Sequence, residues 1–164
     1  MAPDLESGCG AKWRRVRAAQ RLDAGELAAR AALIEQVTGE KYDPPSLRGL
    51  PYESEVCSFE LDVGLAQPAG LLWTTLVSET RARVLIFAIA ADFQDRGFGS
   101  QVWKMMQEDL LSLGITLVQL EVHASNLGAL RLYERLGLNR VGYIRDYYAS
   151  GDGILMEWTS PRQV

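Results

Sequence analysis

The chain has 164 residues, enough for one domain with a continuous hydrophobic core. Apolar residues make up 48% of it and charged residues 23%, which is ordinary for a soluble globular protein. The formal net charge of −4 removes the bulk electrostatic basis for binding nucleic acid. No apolar stretch is long enough to span a membrane and no leader pattern is present, so we expect a cytoplasmic protein without a membrane partner.

Cysteine and histidine are too sparse to indicate a metal site or a disulfide framework. Cys9 and Cys57 lie far apart with no CxxC spacing, and His123 is the only histidine. Such cysteines suit a reducing compartment. We therefore predict that the protein holds no metal ion.

The first part of the chain predicts a strand followed by a helix. Residues 1–11 are small and polar and are expected to form a loose arm before a single domain over residues 12–164. Alternating apolar and polar residues predict a strand over residues 13–18. Asp23 is placed to cap a helix over residues 24–37.

The middle of the chain predicts three strands after an irregular segment. Prolines and a glycine interrupt residues 40–54, although a short helix near residues 46–50 fits. Turn-forming residues separate the apolar runs that follow. These runs predict strands over residues 56–65, 70–77 and 84–91.

The second half predicts two helices and three further strands. An apolar stripe predicts a helix over residues 99–113, and a strand is expected over residues 115–122. Ser125 or Asn126 is expected to cap a helix that ends at Leu136. The last two strands are predicted over residues 140–148 and 154–158, on either side of a turn at residues 149–153.

This order of elements predicts a single-domain α/β fold. The early strands have hairpin-length connections and should be antiparallel, whereas the strands over residues 84–91 and 115–122 are joined by a helix and should be parallel. We therefore expect a mixed, mostly antiparallel sheet with a central parallel strand pair and helices on both faces.

A glycine-rich turn at residues 94–100 is the most informative motif. It lies where a strand passes into a helix, so backbone N–H groups and the positive end of the helix dipole can bind a phosphate or pyrophosphate. A Walker A loop requires a lysine that is absent here. A dinucleotide fold requires a third glycine where Val102 stands, although Glu121 lies roughly where a ribose-binding acid would be. The pattern Q/R-x-x-G-x-G/A, by contrast, is matched by Gln94, Gly97 and Gly99.

That third pattern resembles the coenzyme A loop of the GNAT superfamily of N-acetyltransferases. The segments LEVHASN at residues 120–126 and LYERLGL at residues 132–138 resemble a later motif of the same superfamily. They are most similar to the branch of ribosomal-protein alanine, or N-terminal, acetyltransferases, as is the ending RDYY at residues 145–148. The resemblance covers residues 84–156 and implies the GNAT fold, acetyl-CoA as co-substrate and an amine acceptor.

The resemblance also implies which residues hold the cofactor. The backbone of Ile89 would meet the acetyl thioester, and Asn126 would contact the pantetheine arm as well as capping its helix. Arg96 and Lys104 are candidates for further phosphate contacts, although a solvated helix face is an alternative for Lys104. The turn that would bind the pyrophosphate comprises Gln94, Asp95, Arg96, Gly97, Phe98, Gly99 and Ser100.

Two residues are candidates for acid–base chemistry. Gln119, Glu121 and His123 share one face of their strand, and a polar row on a covered strand is costly unless it lines a cleft. The resemblance implies that Glu121 is the general base, through a water molecule, with His123 as second choice. It also implies that Tyr133 is the general acid that protonates the departing thiolate; a core aromatic is the alternative.

The acceptor is predicted from proton affinity. A lysine amine has a reference pKa near 10.4 and an α-amine one near 7.7–8.0, so deprotonating lysine at neutral pH costs about 3 kcal/mol more. We expect an N-terminal α-amine of a protein or peptide, in a slot walled by Tyr147, Tyr148 and residues 40–52. A small-molecule amine, a non-catalytic acetyl-CoA-binding module and a nicotinamide enzyme remain alternatives. The sequence is compatible with a monomer or a homodimer.

Overall fold

The computed structural model describes residues 10–18, 21–54 and 56–161, so most of the predicted arm over residues 1–11 lies outside the described residues. The described chain contains seven strands and four α-helices. The strands are β1 (Lys12–Arg15), β2 (Phe59–Asp62), β3 (Gly70–Leu76), β4 (Arg81–Ile89), β5 (Leu117–His123), β6 (Asn139–Tyr148) and β7 (Gly151–Thr159). The helices are α1 (Ala24–Thr38), α2 (Pro44–Arg48), α3 (Phe98–Ser112) and α4 (Leu127–Arg135).

One sheet contains all seven of these strands in the order β1-β2-β3-β4-β5-β7-β6. β4 and β5, which α3 connects, are parallel, and every other neighbouring pair is antiparallel. The predicted mixed sheet with one central parallel pair is therefore confirmed. α3 supplies the crossover between β4 and β5, whereas the short connections from β2 to β3, β3 to β4 and β6 to β7 suit antiparallel hairpins.

The helix ends follow the predicted capping chemistry. The Asp23 side chain accepts a hydrogen bond from the Glu26 N–H (2.8 Å), and the Glu26 carboxylate accepts one from the Asp23 N–H (2.9 Å). This capping box starts α1. Gly39 ends the helix in the left-handed region at φ +78°.

Helices cover both faces of the sheet, as predicted. On one face α1 and α2 pack against β3 and β4 through Leu27, Ile34, Leu47, Trp73 and Ile86. On the other face α3 and α4 pack through a larger cluster that includes Trp103, Met106, Leu110, Leu130 and Tyr133. The parallel strand pair consequently lies between two layers of helix.

Several predicted strand ends were wrong. The first strand runs over Lys12–Arg15 instead of residues 13–18, and β2 covers only Phe59–Asp62 of the predicted 56–65. β4 begins at Arg81 instead of residue 84 because it pairs with both β3 and β5 there. β7 begins at Gly151, which shortens the predicted turn over residues 149–153 to residues 149 and 150.

The parallel pairing ends early, and this creates the functional cleft. The register of β4 with β5 runs from Arg81–Leu117 to Arg83–Gln119 and then stops. β5 stays paired with β7 as far as His123, and β4 stays paired with β3 as far as Ile89. The two strands therefore separate beyond Arg83, leaving the facing edge of each without a strand partner.

Candidate active site

A cavity of about 580 Å³ occupies the gap between β4 and β5. It runs from the start of α3, past α4, to the loop that follows α1. Ten of the residues predicted from the sequence line it: Ile89, Gln94, Asp95, Gly97, Gly99, Ser100, Glu121, Asn126, Tyr133 and Tyr148. Ile89 and Tyr148, 59 positions apart in sequence, are thus brought to one site by the separation of the strands.

The glycine turn presents free N–H groups to this cavity. Gly97 lies in the left-handed region at φ +84° and precedes α3 without a side-chain cap. The first bond of the helix runs from the Gln101 N–H to the Gly97 carbonyl. Among the described residues, no acceptor takes the N–H groups of residues 98–100, so these donors at the positive end of the helix are available to an anion.

Gly99 and Ile89 form the wall between the turn and the strand. A Cβ atom on Gly99 would lie 3.6 Å from Ile89 Cδ1 and 3.9 Å from Leu132 Cδ2, so the glycine keeps a narrow passage open. The Gln94 side chain donates to the Ile89 carbonyl at 2.8 Å. Gln94 therefore fixes the end of β4 beside the turn.

Arg96 and Phe98 do not line the cavity, although both were predicted cofactor residues. The Arg96 guanidinium lies over the Phe93 and Phe98 rings, at 5.3 and 5.8 Å, and donates to the Asp92 carbonyl. The Phe98 carbonyl accepts from Trp13 Nε1 at 3.0 Å. Lys104 is exposed and also lies outside the lining.

Asn126 has the capping role that its position predicts. Its Oδ1 accepts a hydrogen bond from the Ala129 N–H at 3.1 Å, at the start of α4. Asn126 also lines the cavity, so capping and ligand contact are compatible in one residue.

Tyr133 lies at the inner end of the cavity. Its ring packs between Phe87 (6.1 Å between centroids) and Trp103 (6.4 Å). Burial, assisted by the charge of Glu40, raises the pKa of the Tyr133 phenol. No described residue hydrogen-bonds its hydroxyl, so this phenol can donate to a ligand in the cavity.

Glu121 is held by an arginine that the sequence did not indicate. Glu121 Oε2 accepts a hydrogen bond from Arg83 Nε at 3.1 Å and forms a salt bridge with Arg83 Nη2 at 2.9 Å. Burial disfavours the charged guanidinium, but the nearby Glu121 and Tyr147 outweigh burial and raise the pKa of Arg83. The same Nη2 donates to the Tyr147 hydroxyl at 2.8 Å.

His123 lines the cavity, and both of its ring nitrogens contact neighbouring residues. The Ser125 N–H donates to His123 Nδ1 at 3.1 Å, so in the matching tautomer Nε2 carries a proton and donates to Ser150 Oγ at 3.0 Å. The ring also stacks on Tyr148, with centroids 5.2 Å apart. These contacts join the β6–β7 turn to the start of α4.

The far end of the cavity contains a second carboxylate, that of Glu40, opposite the β6 tyrosines. Glu40 lines the cavity and accepts from the Tyr42 hydroxyl at 3.2 Å. Burial raises the pKa of Glu40, and the charge of Glu121 adds to the effect. Burial also raises the pKa of Tyr42 to about 12. It is likewise the largest cause of the raised pKa of Tyr148. Tyr147 packs edge-on against Tyr148 and is outside the lining.

Three arginines at this site were not predicted, Arg83, Arg131 and Arg135, whereas Glu40 begins the segment predicted as an acceptor wall. No local pattern indicated Arg83, because the predicted strand began at residue 84 and only pairing with β3 and β5 extends β4 toward Arg81. Arg131 and Arg135 are one turn apart on α4, so they lie on the same side of that helix. No local pattern distinguishes Glu40.

Among the described residues, no group of three or more histidine, cysteine or acidic side chains could hold a metal ion. In the same part of the chain, no helix is long and apolar enough to cross a membrane.

Known proteins share this fold and part of this sequence. The model of the acetyltransferase (GNAT) family matches residues 33–138. A ribosomal protein bS18 alanine N-acetyltransferase of Salmonella typhimurium is 37% identical over 79 residues, which is 48% of this chain and 53% of that protein. The chain thus spans about half the length of the curated relatives it matches.

Solved structures agree over nearly the whole chain. The S18 alanine N-acetyltransferase of Escherichia coli has a TM-score of 0.72 at 22% identity and covers 94% of this chain and 99% of its own. Ard1 of Thermoplasma volcanium has a TM-score of 0.76 at 21% identity, with 92% and 97% covered. At these identities the structural likeness establishes the fold alone. The family is established by the family model, which covers well over half of the chain. The chain belongs to the acetyltransferase (GNAT) family.

Proposed function

We propose that this protein transfers the acetyl group of acetyl-CoA to an N-terminal α-amine of a protein or peptide. The observation that supports this most directly is the single cavity connecting free N–H donors at the start of α3 with Glu121 and Tyr133. Its two ends suit two different ligands, an anion at the turn and an amine between the carboxylates. A relative named for acetylating an alanine of ribosomal protein bS18 supports the same acceptor class.

The residues present fit coenzyme A. The N–H groups of residues 98–100 suit its pyrophosphate, and Arg131 and Arg135 add positive charge along the same cavity. Gly99 leaves room between β4 and α4, and Asn126 lines the same passage. When bound, acetyl-CoA would supply an activated acetyl thioester.

The protein side chains would supply the proton transfers. Glu121 would accept a proton from the acceptor ammonium, directly or through water, and Glu40 adds a second negative charge at the same end of the cavity. Tyr133 would donate its phenolic proton to the leaving sulfur, because burial keeps the phenol neutral. Direct transfer in a ternary complex requires no covalent enzyme intermediate.

A peptide array tests the acceptor. The protein, acetyl-CoA and peptides that differ in their first residue should give acetylated α-amines, whereas peptides with a blocked N-terminus and an internal lysine should not react. Free amino acids, polyamines and an aminoglycoside form the comparison panel. Faster turnover of that panel would replace the peptide acceptor with a small amine; coenzyme A binding without turnover of any amine would indicate a binding module. We propose a cytoplasmic setting for this reaction.

A further inference from the structure

Arg83 touches both the proposed base and the proposed acceptor wall. It lies on β4 at the last paired position of the parallel strands, opposite Gln119. Its guanidinium reaches Glu121 on β5 and Tyr147 on β6. Three strands are therefore tied together at the point where the cavity opens.

The contacts with Glu121 are asymmetric. The Arg83 Nε hydrogen bond at 3.1 Å and the Nη2 salt-bridge contact at 2.9 Å both go to Glu121 Oε2. No described residue donates to Oε1, so this oxygen remains available to accept from another group. A guanidinium is planar, so a hydrogen bond and a salt-bridge contact to one oxygen restrict how the carboxylate can rotate.

The burial of the pair makes its orientation important. The Glu121 side chain is 15% exposed and the Arg83 side chain 39%. A largely buried carboxylate that loses its partner rotates toward water or recruits another cation. Without Arg83, the β6–β7 hairpin would also lose the hydrogen bond to the Tyr147 hydroxyl.

We propose that Arg83 is a positioning residue for the acceptor side of the reaction. It holds Glu121 by one oxygen so that the other faces the acceptor amine, and it fixes Tyr147, which packs against the cavity-lining Tyr148, relative to that carboxylate. The inference rests on the acetyl transfer proposed above, but it concerns a different residue and a separate measurable effect. Arg83 has no contact with the glycine turn, so its action is confined to the acceptor.

Steady-state kinetics of Arg83→Met test this. We expect kcat to fall about ten- to hundredfold with the best peptide acceptor. The KM for acetyl-CoA should stay within about twofold of the wild type, because the turn is untouched. Arg83→Lys keeps the charge but not the planar fork and should recover part of kcat. Arg81→Met is the matched control, since Arg81 is exposed on the same strand face two residues away; it should behave as wild type.

A double-mutant cycle separates positioning from simple loss of stability. Tyr147→Phe removes only the hydroxyl that Arg83 contacts. It should reduce kcat about three- to tenfold in the wild-type background and have little further effect after Arg83→Met. If the effects of the two substitutions on kcat were additive, Arg83 would not act through Tyr147 and the proposed coupling would be wrong.

Three outcomes would overturn the inference. A kcat for Arg83→Met equal to that of the Arg81→Met control would show that Glu121 needs no orientation. A higher kcat would show that the arginine competes with the acceptor amine. Parallel losses in kcat and in coenzyme A affinity would show general damage to the fold. No turnover by the wild-type protein would instead refute the proposed function, and this inference with it.

Discussion

Replacing Gly99 with alanine should weaken coenzyme A binding without harming the fold. The new Cβ would lie 3.6 Å from Ile89 Cδ1, 3.7 Å from Phe87 Cζ and 3.9 Å from Leu132 Cδ2, which are ordinary contacts. The protein alone therefore accommodates the methyl group. The same methyl group narrows the passage between β4 and α4, where the proposed ligand must come close to the backbone.

The expected change in the free energy of unfolding distinguishes a loss of ligand binding from a loss of stability. Alanine in a helix is favoured over glycine by about 0.5–1 kcal/mol, so Gly99→Ala should be at least as stable as the wild type. Gly97→Ala should instead destabilise the fold. Gly97 has a φ of +84°, and a residue with a side chain at this φ lowers the free energy of unfolding by about 1–2 kcal/mol. That cost lowers Tm by about 2–8 °C for a chain of this size.

Thermal unfolding with and without coenzyme A, supported by calorimetric titration, measures both effects. Ligand at about 100 times Kd stabilises by about 2.7 kcal/mol, and a tenfold weaker Kd reduces this to about 1.4 kcal/mol. Gly99→Ala should therefore lose about half of the ligand-induced Tm shift. Gln101→Ala, exposed on α3 outside the cavity, should keep all of it. A Gly99→Ala protein that binds coenzyme A as tightly as the wild type would refute the proposed path of the ligand.

Four further results are expected. Glu121→Gln should lower kcat about a hundredfold or more while coenzyme A affinity, measured by titration, stays unchanged; equal kcat would reject the base assignment. Tyr133→Phe should also lower kcat but leave Tm nearly unchanged, because the Tyr133 hydroxyl has no hydrogen bond to a described residue; a large drop in Tm would reveal a structural role. Arg131→Ala combined with Arg135→Ala should weaken coenzyme A binding and reduce the salt dependence of its Kd. This dependence is measured by titration at salt concentrations from about 50 to about 300 mM, over which the screening of charges increases. Burial raises the pKa of Glu40 in the folded protein, so ionising this carboxyl opposes folding. The free energy of unfolding should therefore fall as the pH rises from the pKa of Glu40 in the unfolded chain through its pKa in the folded protein. Glu40→Gln should remove that part of the decline, which urea titrations at several pH values measure.

The proposed site has two parts with different physical designs. The proposed donor side consists of backbone N–H groups on a helix end, fixed by the fold and insensitive to side-chain rotation. The proposed acceptor side consists of ionisable side chains, Glu40, Arg83 and Glu121, whose charges influence one another. Substitutions in the two parts should therefore separate cofactor affinity from acceptor turnover.

The sequence was most informative where structure depends on neighbouring residues. Asp23 predicted the start of α1, and the alternative caps Ser125 and Asn126 predicted the start of α4, where Asn126 is the cap observed. Strand ends were less accurate because a strand extends as far as its partners do. β4 begins at Arg81 because β3 and β5 both pair with it there, and no local pattern contains that information.

The sequence by itself determined the order of elements, the glycine turn and the resemblance to the family, since these follow from residue types at short spacing. The tertiary structure decided where β4 and β5 separate, that Arg83 holds Glu121, and that Glu40 lines the same cavity. Arg83 and Glu121 are 38 positions apart, and their contact depends on the register of two strands joined by a helix. Short-range preferences specify each backbone segment, whereas packing of the whole sheet specifies which side chains meet.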